Sequence, residues 1–161
     1  MIFVTVGTTD FDALAARMDE LTPGLNEEVI IQIGRGTYQP RHAQSFRFAP
    51  SLDRYYHQAR LVVSHGGLGT LMEVLRLGKP IIGASNPDRF DLHQEDLLSE
   101  LERGGYILWC RDLADLGEHI HCIASMQLQR YQEPPCEIHT VIAEFLAGKD
   151  VSKWRGRQQS A

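Results

Sequence analysis

No apolar run in the 161-residue chain approaches the ~20 residues that a membrane-spanning helix needs. If the protein works at a membrane, something else is expected to bring it there. Cysteine is scarce. Cys110, Cys122 and Cys136 are odd in number and widely spaced, with no Cys-x-x-Cys pair, which argues against a zinc site and a disulfide frame. Reduced thiols in a cytosolic protein are the expected state. A basic excess is also missing: the 16 Lys and Arg are outnumbered by 21 Asp and Glu, for a net charge of −5, so the electrostatic footprint of a nucleic-acid binder is absent. The seven histidines never fall at a metal-ligand spacing, and no metal is expected. There is no Gly-x-Ser-x-Gly elbow, no Walker A Gly-Lys-Ser/Thr and no Gly-x-Gly-x-x-Gly fingerprint. Those gaps weaken readings as a phosphate-ester hydrolase or an NAD-dependent enzyme. The opening stretch Ile2-Phe3-Val4-Thr5-Val6 has neither a charged n-region nor a cleavage site, so it is expected to be a strand and not a signal peptide.

What is present centres on residues 61–80. Leu61-Val62-Val63 is a short apolar run rich in β-branched residues, as a buried parallel strand should be. His65-Gly66-Gly67-Leu68-Gly69-Thr70 breaks it. Leu68, Leu71, Met72 and Leu75 then recur at helical spacing, and Gly78 with Pro80 stops the helix. Three glycines in four positions admit a ligand that a Cβ would exclude. The helix behind them aims free N–H groups and its positive dipole end at the same gap, which suits an anion, most often a phosphate.

The rest of the chain alternates strand and helix. The first strand ends at Gly7-Thr8-Thr9, Asp10 is the expected N-cap, and Phe11, Leu14, Ala15, Met18 and Leu21 mark one helical face. Val29-Ile30-Ile31-Gln32-Ile33 is a second strand closed by Gly34-Arg35-Gly36, and Ser45–Phe48 is a weak third. Leu52, Tyr55, Tyr56 and Ala59 lie on one face of a short helix. Pro80–Ala84 and Tyr106–Cys110 are further strands, separated by a polar loop from Ser85 to Asp91 and an amphipathic helix from Leu92 to Leu101. Residues 112–126 and 136–147 read as two more helices around the Pro134-Pro135 break. This order predicts an α/β fold, a doubly wound and mostly parallel sheet of Rossmann-like type, with a domain over 1–148 and a polar, basic tail over 149–161. In such an order the first and fourth strands are neighbours at the topological switch point, so the turns at Gly7 and at His65 should face each other across the ligand crevice.

Three further groups are candidates. Glu73, one turn into the helix after the glycine turn, can accept hydrogen bonds from the vicinal hydroxyls of a ribose, or serve only as a solvated surface acid. His93-Gln94 follows the fifth strand, where an amide suits the hydroxyls of a sugar, or is an ordinary polar first turn. His65 can donate to a phosphate or to a transferred group, or be a core histidine bonded to backbone.

Together these residues resemble a known family. His65-Gly66-Gly67-Leu68-Gly69-Thr70 with Glu73, then Gly78-Lys79-Pro80-Ile81-Ile82, then His93-Gln94, is similar to the nucleotide-sugar half of GT-B glycosyltransferases, in particular the family 28 C-terminal domain. The start, Ile2 to Thr9 with Phe11-Asp12, and Gln32-Ile33-Gly34 with Tyr38 and Pro40, resemble the small soluble subunit of two-piece transferases. Members of that group extend dolichol-diphosphate-linked sugars or build exopolysaccharide units on undecaprenyl diphosphate. The resemblance covers about residues 1–125.

The resemblance implies a role for each residue. The Gly66–Thr70 turn, with Gly67 and Gly69, would hold the diphosphate of a UDP-sugar, and Glu73 the ribose. Gln94 and His93 would read the donor sugar; relatives often place an acid where His93 stands. Backbone near Phe48-Ala49 would meet the uracil, and Gly7, Thr8 and Gly34 would line the crevice. UDP-sugar is then a substrate, and no cofactor or metal is expected. The implied activity is that of the donor-binding subunit of an inverting, UDP-sugar-dependent hexosyltransferase acting on a polyprenyl-diphosphate-linked sugar in exopolysaccharide or glycolipid biosynthesis. A GT-B enzyme has two such halves and this chain holds one. The implied partner is therefore a membrane-anchored, acceptor-binding subunit that supplies the base, with this chain inactive alone and peripheral at the cytoplasmic membrane face. Within the chain, His65 is the one catalytic candidate. The alternative is a stand-alone nucleotide-sugar-binding module without transferase activity.

Overall fold

The computed structural model describes residues 1–86, 93–133, 137–150 and 152, with backbone alone at His93. Residues 87–91 of the expected loop, the Pro134-Pro135 break and most of the basic tail lie outside them. The chain divides into two compact units, Met1–Tyr131 and Gln132–Ala161.

In the first unit the strands are β1 (Ile2–Thr5), β2 (Val29–Gln32), β3 (Gln44–Phe46), β4 (Leu61–Ser64), β5 (Ile81–Ala84) and β6 (Leu108–Cys110). They form one sheet in the order β3-β2-β1-β4-β5-β6, parallel at every pairing. The register places Thr5 beside both Gln32 and Ser64 at the carboxyl ends of the three central strands. The helices are α1 (Asp12–Leu21), α2 (Asp53–Gln58), α3 (Leu68–Arg76), α4 (His93–Arg103) and α5 (Leu116–Cys122). In the second unit, α6 spans Ile138–Leu146.

Alternation along the strands feeds two apolar layers. Ile2, Val4, Ile31 and Val63 pack with Leu14 and Met18 of α1 and Leu116 and Ile120 of α5. Phe3, Val62 and Ile81 pack on the other side with Tyr56 of α2, Leu71 and Val74 of α3 and Leu98 of α4. Strands covered on both faces need continuous apolar runs, which is why Ile2–Val4 and Leu61–Val63 contain no polar residue.

Two local expectations are corrected. The N-cap of α1 is Phe11, with no side-chain cap hydrogen bond, and not Asp10. The first-turn carboxylate of α1, Asp12, reaches sideways and accepts from the amide and hydroxyl of Thr37. Residues 112–126 do not form one helix. Asp112 accepts from the Ala114 amide and sets a 3-10 turn over Leu113–Asp115, and a second 3-10 turn over Ile123–Ser125 closes α5.

A second carboxylate does more. Asp19, on the inner side of α1 and 1% exposed, accepts from the amides of Arg41, His42 and Ala43 at 2.8–2.9 Å and from the Tyr38 hydroxyl at 3.0 Å. Burial opposes its ionisation. The three amides and the phenol outweigh burial and hold the carboxyl below the usual aspartate value. The long β2–β3 connection is thus tied to α1 at two points.

Candidate functional site

The carboxyl ends of β1 and β4 lie side by side, so the turns that leave them meet. Between those turns sits the His65 imidazole, 8% exposed. Its backbone N–H donates to the Thr5 carbonyl at 3.3 Å. The ring leaves no room for a side chain at Gly67 and crowds one at Gly7. A Cβ at Gly67 would stand 2.5 Å from Nε2, and one at Gly7 would stand 3.0 Å from Cε1. Gly7 also has a φ of +64°, in the left-handed region. Close approach to the histidine requires the glycine at position 67, and the left-handed φ favours the one at position 7.

The turn after β1 is held from below by a closed ring of hydrogen bonds. The Gly7 amide donates to Thr5 Oγ1 at 3.1 Å, the Thr5 hydroxyl donates to Gln32 Oε1, and Gln32 Nε2 donates to the Gly7 carbonyl at 3.1 Å. Both sides of Gly7 are therefore fixed by polar groups that are themselves buried, a costly arrangement unless complete.

The turn after β4 leads straight into α3. Gly67 occupies the N-cap position and offers no side chain, so the first-turn amides of α3 have no side-chain cap. Around Gly69 there is open space where a Cβ would point. An uncapped helix N-terminus beside open space favours an anion by its N–H groups and its dipole.

A cleft of about 350 Å3 opens here. Of the residues expected from the sequence, Gly7, Thr8, Phe48, His65, Gly67, Gly69, Thr70 and Glu73 line it. Phe48 and Leu68 stand 55% and 59% exposed at its sides. Gly34 and Gly66 do not line it. Gly34 sits close under the carbonyls of Thr9 and Gly7, backing the first turn, and Gly66 is covered by Leu98 of α4. Gln94 is half-buried in the first turn of α4, four residues before Leu98 and so on the same helical face, but it is not among the lining residues. The His93 side chain lies outside the described residues.

Sequence reasoning missed Gln32, Leu52 and Tyr56, which also line the cleft. Tyr56 stands on α2 with its ring against Phe3. Burial, with the Glu73 carboxylate nearby, pushes its phenol well above the ordinary tyrosine value, while Thr70 acts in the opposite sense. A larger hollow of about 700 Å3 lies by the amino ends of β5 and β6, against Lys79, Pro80 and Tyr106. Doubly wound sheets bind ligands at their carboxyl ends, which favours the smaller cleft. Elsewhere, burial with Asp115 and Asp112 nearby raises the Cys110 thiol to about 11, so it is not a thiolate nucleophile at neutral pH. Among the described residues no cluster of His, Cys, Asp and Glu is arranged to hold a metal ion, and no helix is long and apolar enough to cross a membrane.

The model of the glycosyltransferase family 28 C-terminal domain matches residues 1–146. The chain belongs to that family. Among curated proteins it is similar to the UDP-N-acetylglucosamine transferase subunit ALG13 of Homo sapiens, 38% identical over 123 residues that make up 68% of this chain and 11% of that protein. The Mus musculus protein of the same name is 36% identical over 121 residues, 67% of this chain and 10% of its own length. The chain thus spans about a tenth of either mammalian relative. The Yarrowia lipolytica subunit is 27% identical over 132 residues, 73% of this chain and 67% of that protein. Among solved structures, a solution structure of ALG13 superposes with a TM-score of 0.59 at 21% identity, covering 90% of this chain and 94% of that one. The glycotransferase of kitacinnamycin superposes at 0.62 and 20% identity over 91% of this chain and 37% of that one. These two likenesses show the fold: a family 28 domain is one Rossmann-like half of a GT-B glycosyltransferase.

Proposed function

We propose that the cleft binds a UDP-sugar and that the chain is the donor-binding subunit of an inverting UDP-sugar-dependent hexosyltransferase. One observation carries this reading: the uncapped N-terminus of α3 and the two glycine turns around His65 converge on one cleft that Glu73 and Phe48 also line. The first-turn amides of α3 take the diphosphate. Glu73 accepts from the ribose hydroxyls, and backbone near Phe48 and Ala49 meets the uracil. Gln94, with His93, at the start of α4, reads the hydroxyls of the donor sugar. As the acceptor hydroxyl attacks the anomeric carbon, charge builds on the departing UDP, and amides already aimed at it stabilise that charge without rearranging. His65 is the chain's own candidate for a proton donor to the leaving phosphate, and the base that deprotonates the acceptor comes from the partner. No metal is required by this scheme.

The names of the ALG13 relatives support a UDP-sugar donor and a subunit within a larger assembly. We assign the partner as a membrane-anchored acceptor-binding subunit and the acceptor as a polyprenyl-diphosphate-linked sugar, in glycolipid or exopolysaccharide synthesis, with this chain peripheral at the cytoplasmic face. The test is calorimetry of the chain with UDP and UDP-sugars in metal-free buffer, followed by transfer assays with the co-expressed partner. Binding without transfer by the pair would reduce the chain to a nucleotide-sugar-binding module. Absence of UDP binding, with and without partner, would end the proposal.

A further inference from the structure

Tyr56 is sealed inside the first unit at 1% exposed, in the apolar layer that contains Phe3, Val62, Leu71 and Val74. Its ring meets Phe3 edge-on with centroids 5.7 Å apart. For packing alone, phenylalanine would serve better, because a buried hydroxyl without a hydrogen bond is destabilising. The Tyr56 hydroxyl is such a group: it is closed to solvent and forms no hydrogen bond. Glu73 and Thr70 both act on it, the carboxylate pushing the phenol up and Thr70 acting in the opposite sense. Both neighbours line the cleft, and Glu73 is exposed there. A fold rarely leaves a strong donor unused beside a carboxylate, and positions that break a local rule of stability concentrate at working sites.

We infer that Tyr56 is a positioning residue for Glu73: when a nucleoside diphosphate enters, the phenol donates to one carboxylate oxygen and holds the side chain in the rotamer whose other oxygen accepts from the 2′- and 3′-hydroxyls. The inference rests on the proposed ribose role of Glu73 and adds to it a source of specificity for ribose over deoxyribose. A free, exposed glutamate samples many rotamers and discriminates poorly, whereas one pinned from behind presents a fixed acceptor.

The experiment is calorimetry of the full chain with UDP and with 2′-deoxy-UDP, on the wild type, Y56F, E73A and the double variant, with thermal melting of each. The wild type should prefer UDP by about tenfold. In Y56F that preference should fall to about twofold, while the melting temperature holds or rises because an unsatisfied hydroxyl has gone. In the E73A background, Y56F should change nothing further. An unchanged preference in Y56F, or a Y56F that fails to fold, makes Tyr56 a packing residue and overturns the inference while leaving the cleft reading intact. An effect of Y56F that persists in E73A also overturns it. A wild type that binds no UDP removes the reading of the cleft itself, and one that binds UDP equally with and without Glu73 removes the ribose role and this inference together.

Discussion

At the residue scale, the side chains that matter work as pairs across long stretches of chain. Glu73 is exposed in the cleft and stands on the second turn of α3, so its loss should touch ligand and not fold. We expect Glu73→Ala to weaken UDP binding by about 1.5–3 kcal/mol, the range for hydrogen bonds to a charged acceptor, with an unchanged melting temperature. Collapse of stability at normal affinity would make Glu73 structural. Asp19 predicts the opposite division. Replacing it by alanine strands the amides of Arg41, His42 and Ala43, at a cost of about 3 kcal/mol in urea denaturation. UDP affinity should change little, because Asp19 is not among the residues lining the cleft. The same carboxylate sets an acid limit. Its folded-state value is depressed below the ordinary aspartate value. Its stabilisation is therefore complete above that value and lost as pH falls through the lower folded one. Asp12, where burial opposes ionisation and the Thr37 hydroxyl and amide overcome it, acts in the same direction. In D19A, the drop in stability between neutral and strongly acid pH should be smaller than in the wild type. An identical acid profile would show that Asp19 is not ionised in the folded protein.

At the scale of elements, the two glycine turns and α3 form one device, because His65 couples them. Gly7→Ala forces a left-handed φ on a residue with a Cβ, at about 1–2 kcal/mol, and presses on the imidazole. Gly67→Ala leaves the backbone unstrained but drives a methyl into His65, at about 1–3 kcal/mol. Both should lower UDP affinity through the same displaced ring, so the double variant should lose less than the sum of the two. Additive losses would show that the turns act separately. Much of this device was legible in the sequence. β-branched apolar runs announce buried parallel strands, the Gly-Gly break followed by helical spacing announces α3, and strict strand–helix alternation leads to the switch point between β1 and β4. What was not legible depends on contacts without a local pattern. Gln32 earns its place through Thr5 and Gly7, 27 and 25 residues away in the chain. Tyr56 reads as one more apolar position of an amphipathic helix until Glu73 is seen beside it. Asp10 reads as the natural cap of α1, but the helix begins one residue later, with Phe11 at the cap position and Asp12 accepting from Thr37. The Gln94 side chain is the remaining element-scale question. Its place on the Leu98 face of α4 predicts that Gln94→Ala lowers the affinity for UDP-sugar relative to UDP, leaving UDP itself nearly unaffected. Equal losses for both ligands would remove Gln94 from sugar recognition.

At the scale of the whole molecule, the proposed reaction asks for more than this chain describes. Transfer needs a donor site, an acceptor site and a base. Among its described residues the first unit offers the cleft at the switch point between β1 and β4 and, between the two turns, the titratable side chain of His65. The second unit offers an exposed apolar side on α6. Its helix α6 has no buried residue, and Ile138, Ile142, Phe145 and Leu146 are all exposed. Ile138, Ile142 and Phe145 follow helical spacing along one side, and an apolar side of that length left open to water is a candidate interface. If α6 docks on a membrane-anchored partner, Ile142→Asp with Phe145→Asp should abolish co-purification with that partner from membranes. UDP binding by the chain should be unchanged, since the cleft lies wholly within residues 7–73. The pair formed by the double variant should then transfer no sugar to a lipid-linked acceptor, although each half still binds its own substrate. Retained co-purification would release α6 from a docking role. Transfer by the full chain alone at the rate of the pair would overturn the two-subunit reading itself.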